Sequence, residues 1–256
     1  MKSHRFPALL LTASLLSLFS SATLQAAEST SPVDPQALEL LKRMSTTLAA
    51  APAFTYESKS AVEIPASTGQ FLTVFSHADV ALKRPDKLSA RLAGDAPHFN
   101  FYYDGSTVAA FAPGTGVYSS SKAPSTIDAM LPALEKETGI RFATAPLLFR
   151  NPYTALTRRL FSGIVVGPAT VHGTACTHLA FRSPGVNWEI WLESNARALP
   201  RRLAVTFTDR ENSPRTLVEF SDWNLRPALR ASDFVLRPPK DAKEIPFTAV
   251  MKSAGR

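Results

Sequence analysis

The chain has 256 residues, 45% of them hydrophobic and only one a cysteine, so it is held together by a packed apolar core rather than by internal disulfides. Its formal charge of +7 is scattered, with the densest points at pairs such as Arg158-Arg159 and Arg201-Arg202. That pattern lacks the basic stripe and the recognisable motif that nucleic-acid binding requires.

Residues 1–26 read as a secretory signal peptide. Lys2 and Arg5 form a basic start, Ala8 to Phe19 an uncharged and mostly apolar run, and the small residues Ala26 and Ala27 a cleavage point. The apolar run falls short of the roughly 20 residues that span a bilayer, and no later stretch is long enough. Cleavage lowers the formal charge from +7 to +5, because Lys2 and Arg5 leave and no acid leaves with them. Export to the periplasm follows, with residues 27–256 as a single domain.

Asp34 and Pro35 predict a helix start, and Leu38, Leu41, Met44 and Leu48 recur at helical spacing up to Pro52. The period then switches to two. Phe54, Tyr56 and Val62 fall on one face of a strand, with Glu57, Lys59 and Glu63 on the other. Leu72, Val74, Ala78, Val80 and Leu82 share one parity in the next strand, and "DKLSARLAG" is a shorter one. Asp104-Gly105 marks a hairpin inside "HFNFYYDGSTVAAFAP". Two helical segments interrupt the strands. One is capped by Ser125 or Thr126, stopped by Gly139 and expected to kink or restart at Pro132; the other, over 143–163, is broken near Asn151-Pro152. Strands resume near Ile164 and continue almost to the end, punctuated by turns at "RSPGVN", "ESNARALP" and "DRENSP". The tail "ASDFVLRPPKDAKEIPF" reads as a turn or short helix followed by extended pieces.

This order predicts a mainly β, α+β protein: a large antiparallel sheet whose apolar face is covered by the helices near 34–50 and 125–160. The strand "TACTHLAF" carries the lone Cys176 together with His178, and His172 precedes it. Its two-residue period puts Thr177, Leu179 and Phe181 on the apolar side and Cys176 and His178 on the convex side. A zinc site needs three or four ligands, and His172 stands roughly 20 Å from His178 at strand rise. The stretch therefore reads as a strand with a cysteine as filler, with no metal, no cofactor and no catalytic residue assigned. The chain also lacks G-x-S-x-G, H-E-x-x-H and phosphate-cradling glycine motifs.

The strings "FRNPYTAL", "VHGTACTHLAFRSPGVNWEIWLESNARALPRRLAVTF" and "DFVLRPPKDAKEIPF" resemble an uncharacterised family of predicted periplasmic proteins. That family is related in fold to the LolA/LolB lipoprotein-localisation factors and to the amino-terminal domain of the stress regulator RseB. The resemblance covers nearly all of the mature chain. It implies a strongly curved, incompletely closed antiparallel β-barrel, LolA-like, with helices plugging the concave side.

Tyr56, Phe101, Tyr103, Trp188, Phe207 and Phe220 fall on inward strand faces, and Leu131 and Leu134 on the covering helix, with Leu147 and Leu148 beside them. These side chains either line a ligand cavity or fill the core against the helices. The expected function is a non-enzymatic periplasmic binding protein that holds a lipid, an acyl chain or a lipoprotein. The alternatives are an envelope protein-interaction or stress-sensing module with a filled core, and a hydrolase with an unrecognised site.

Overall fold

Asp34 caps the first helix: its carboxylate accepts a hydrogen bond from the Gln36 amide at 2.8 Å, and Pro35 takes the first helical position. In this computed structural model, which describes residues 33–95 and 98–246, α1 spans Pro35–Ala50. Ala37, Leu41, Met44 and Leu48 form its buried stripe. The signal peptide and the first residues of the expected 27–256 domain lie outside the described residues.

The strands follow the chain as two meanders. The first comprises β1 (Ala53–Pro65), β2 (Phe71–Lys83), β3 (Lys87–Gly94), β4 (Phe99–Tyr103), β5 (Thr107–Ala112) and β6 (Val117–Lys122). The second comprises β7 (Ser162–Val171), β8 (Thr174–Ser183), β9 (Val186–Glu193), β10 (Pro200–Thr206) and β11 (Arg215–Asn224). Antiparallel pairing of β1 with β11 fuses them, and a two-residue β12 (Lys243–Glu244) adds to β6 in parallel. The resulting 12-stranded sheet runs β12-β6-β5-β4-β3-β2-β1-β11-β10-β9-β8-β7, so its edges, β12 and β7, stay apart. The sheet is mainly antiparallel and is not closed into a barrel. Register shifts in β11 opposite Thr55/Glu57, in β10 at Pro200/Arg202 and in β7 at Val165/Gly167 are bulges that bend and twist it.

The segment between the meanders supplies α2 (Ile127–Thr138), α3 (Ala145–Leu148) and α4 (Pro152–Thr157). Thr126 caps α2 by accepting from the Ala129 amide at 3.2 Å, and Gly139, at φ 72, ends it in the left-handed region. α2 does not restart at Pro132 but runs through it as one helix. The donor that proline lacks would have met the carbonyl of Asp128, in the first turn. There the Asp128 carboxylate binds the Arg150 amide at 3.0 Å and so ties α2 to the loop after α3. The Ser45 hydroxyl of α1 accepts from the Tyr153 amide at 2.8 Å, which joins α1 to α4.

One apolar cluster lines the concave side, where α1, α2 and α3 meet the inward faces of both meanders. A short 3-10 helix at Ala231–Phe234 packs on β3 with Phe234 buried outside that cluster, and the chain then reaches β6.

Candidate functional site

The inward face of β1 reads Tyr56, Ser58, Ser60, Val62 and Ile64. In register on β2 stand Val80, Ala78, Ser76, Val74 and Leu72. Ala90 and Leu92 of β3 continue these rows, followed by Phe101 and Phe99 of β4. Most of these side chains are small, and α2 spans above them with Leu131 and Leu134. What remains between sheet and helix is a cavity of about 390 Å³, closed above by Ile140, Phe142, Ala143 and Thr144. The other half of the concavity is full. There Leu179, Phe181, Trp188, Ile190, Leu192 and Leu203 are large and buried, with Val205 buried beside them. Nearby, α1 is held at β7 by the Asp34 amide on the Gly163 carbonyl (2.9 Å) and at the β9–β10 loop by the Thr47 hydroxyl on the Arg197 carbonyl (2.7 Å). Side-chain size along the strands decides which half is hollow.

Four of the eight candidate lining residues, Tyr56, Phe101, Leu131 and Leu134, face this cavity. The other four are buried elsewhere. Trp188 stacks on Phe181 at 4.3 Å between ring centres, and Phe207 lies under the guanidinium of Arg141 at 5.4 Å. Phe220 packs edge-on against Tyr56 at 5.5 Å, in a cluster with Phe54 and Trp223. Tyr103 donates its hydroxyl to the Pro124 carbonyl and so anchors the lead into α2. Burial, with the Asp86 and Asp104 carboxylates nearby, pushes that phenol up to about 12. Leu148 also lines the cavity, whereas Leu147 is buried in the core.

The cavity has a closed end and an open end. At the closed end Tyr56, Leu88, Phe101 and Leu148 are buried; at the other, Val62, Ile64, Val74 and Ile140 are half-buried and Asp95 and Arg141 sit at the mouth. Arg141 bonds Glu135 at 3.1 Å and Asp209 at 3.4 Å, and these half-exposed pairs raise its pKa above the ordinary value despite the opposing effect of burial. Sequence reasoning did not single out the polar groups of the wall. Ser60 and Ser76 face each other across β1 and β2 with hydroxyl oxygens 2.7 Å apart. Burial pushes the Tyr56 phenol well above its usual value, with the Thr144 hydroxyl opposing the shift.

A family model for predicted periplasmic proteins, DUF2092, matches residues 37–248, from the first turn of α1 to beyond β12. The chain belongs to the DUF2092 family of predicted periplasmic proteins. No curated protein matches the chain in sequence. Among solved structures, the Mycobacterium tuberculosis lipoprotein LppX is similar in fold at 12% identity and a TM-score of 0.50, over 77% of this chain and 98% of that one. An uncharacterized conserved protein from Thermus thermophilus matches at 13% identity and a TM-score of 0.48, over 82% and 99%. A LolA superfamily protein from Nitrosomonas europaea matches at 11% identity and a TM-score of 0.41, over 78% and 97%. No helix among the described residues of the DUF2092 chain is long and apolar enough to cross a membrane.

The convex face holds the Cys176 strand. Register pairs Cys176 with Glu193, and His178 with Trp191, on the side opposite Leu179 and Ile190. Cys176 is buried with its thiol 3.4 Å from the Thr174 carbonyl, and burial raises its pKa while Arg201 opposes. His178 stacks on Trp191 at 4.0 Å and bonds Glu189 at 2.9 Å; His172 instead bonds Glu219 at 2.8 Å. The two histidines thus serve separate carboxylates. Among the described residues of this DUF2092 protein, no three His, Cys, Asp or Glu side chains gather within ligating reach.

Proposed function

We propose that this DUF2092 protein is a non-enzymatic binding protein that holds one acyl chain, or a similarly slim apolar ligand, in the cavity beneath α2. The observation that carries this reading is the cavity itself. It is walled mainly by aliphatic and aromatic side chains, closed at Tyr56 and open at Ile64, and lies within the few-hundred-Å³ range of ligand sites. If a methylene takes about the ~30 Å³ of a liquid water, 390 Å³ holds roughly a dozen such groups, enough for one chain and too few for two. Each buried methylene contributes about 0.8 kcal/mol, so such a chain binds firmly without a specific polar contact. On this reading residues 1–26 are the export signal and the remainder is one carrier domain.

The test has two parts. Native mass spectrometry and solvent extraction of protein purified from the periplasm should find one lipid per chain. A series of monoacylglycerols titrated into delipidated protein should then bind about fourfold tighter for each added methylene, up to a dozen carbons, and level off. Affinity independent of chain length, with no co-purifying lipid, would favour the alternative of an envelope partner-binding module.

A further inference from the structure

We infer that the ligand bears an oxygen acceptor part-way along its buried length, and that the Ser60–Ser76 hydroxyl pair selects it; this rests on the cavity being the ligand site. Ser60 and Ser76 are half-buried, and a hydroxyl in such a wall loses its hydration, and so needs a partner, once an apolar ligand fills the space before it. Each serine offers one donor and two acceptor lone pairs. The 2.7 Å contact between the two hydroxyls uses one of their two donors, so the second O–H remains for a ligand. Both serines line the cavity, with Ser58 next to them on β1 and Val62, Val74, Ala78 and Val80 around them.

Depth then narrows the chemistry. Ser60 stands four residues from Tyr56 at the closed end and four from Ile64 at the mouth, about 13 Å each way at strand rise. With carbon–carbon bonds of about 1.5 Å in a zigzag, the deeper part accepts roughly ten chain carbons. A medium-length acyl ester fits this layout: its methyl end lies at Tyr56, its carbonyl oxygen accepts from the serine pair, and its head group points from there towards the mouth. A plain saturated chain fills the same space and leaves that donor unpaired, which sites built around a hydrogen bond discriminate against.

The experiment compares monododecanoylglycerol with N-phenylnaphthylamine, an apolar fluorophore that carries no oxygen acceptor, on the mature protein. In the Ser60→Ala/Ser76→Ala double variant the ester should bind about five- to tenfold more weakly, the range expected for one lost hydrogen bond, while the fluorophore binds as in wild type. The single Ser76→Ala variant keeps one hydroxyl with a free donor, and should hold the ester to within about twofold of wild type. Unchanged ester affinity in the double variant, with the fluorophore still bound, overturns the selection by serines and leaves the carrier reading standing. Failure of both probes to bind wild-type protein overturns the carrier reading and this inference with it.

Discussion

The guanidinium of Arg84, in the β2–β3 turn, donates to the Leu148 carbonyl at 3.0 Å, at the end of α3. Its other terminal nitrogen reaches the Leu48 carbonyl in the last turn of α1 at 3.4 Å, and the group lies over the Phe54 ring at 5.7 Å. Burial lowers its pKa, with the Asp128 carboxylate opposing, and its Nε has no partner among the described residues. One cation thus closes two helix C-termini, where unsatisfied carbonyls carry partial negative charge. Because Leu148 lines the closed end of the cavity, the same contact fixes that end.

Arg84→Met keeps the stem of the side chain and removes the charge-assisted donors. Stability should fall by roughly 2 kcal/mol, as charged hydrogen bonds of this kind are lost. Urea unfolding at neutral pH measures it. A midpoint equal to wild type would show that the two carbonyls are served equally well by water.

Much of this arrangement is legible in the sequence, and the illegible part has a physical cause. Alternation alone puts Leu179 and Phe181 inward and Cys176 and His178 outward, because the side-chain period of a strand is two and register follows from the hairpins. The caps at Asp34, Thr126 and Gly139 are likewise local chemistry. Ser58 and Ser60 escape the same reading, since hydroxyls at inward positions look like a fading of the apolar row. Their meaning depends on Ser76 and Ala90, which arrive only with the pairing of β1, β2 and β3. That the hollow lies under α2 rather than beside α1 is also non-local. Trp188 and Phe101 both point inward, yet only Phe101 meets empty space.

Glu219 links stability to pH. Burial on its own would raise this carboxyl, but hydrogen bonds from His172 and from Arg202, whose Nε lies 2.9 Å away, outweigh burial and depress it below 4.5. A carboxylate with a depressed folded-state pKa stabilises the protein above its unfolded value and loses that contribution as pH falls through the folded one. The contribution should be modest, roughly 0.5–1 kcal/mol, because the pairs reach solvent. Unfolding midpoints of wild type and Glu219→Gln should therefore differ at about pH 7 and converge towards about pH 3. A difference that stays constant over this range would assign the effect to packing.

The division of the concavity into a hollow half and a full half makes two substitutions behave oppositely. Ala90 stands between Val80 and Phe101 on the cavity wall, so Ala90→Phe projects its ring into open space. The usual cost of overpacking, about 1–3 kcal/mol, is then largely avoided. Thermal stability should hold while the affinity for monododecanoylglycerol drops at least about tenfold, as several methylenes lose their place. Leu203 is buried in the full half, away from the cavity lining. Leu203→Ala should cost about 2–5 kcal/mol of stability through the void it leaves, with ligand affinity retained at temperatures where the variant stays folded. Calorimetric unfolding and fluorescence titration on the same samples separate the two effects. Wild-type ester affinity in Ala90→Phe would place the ligand outside this cavity, because a benzyl group beneath α2 takes the place of several methylenes of the chain.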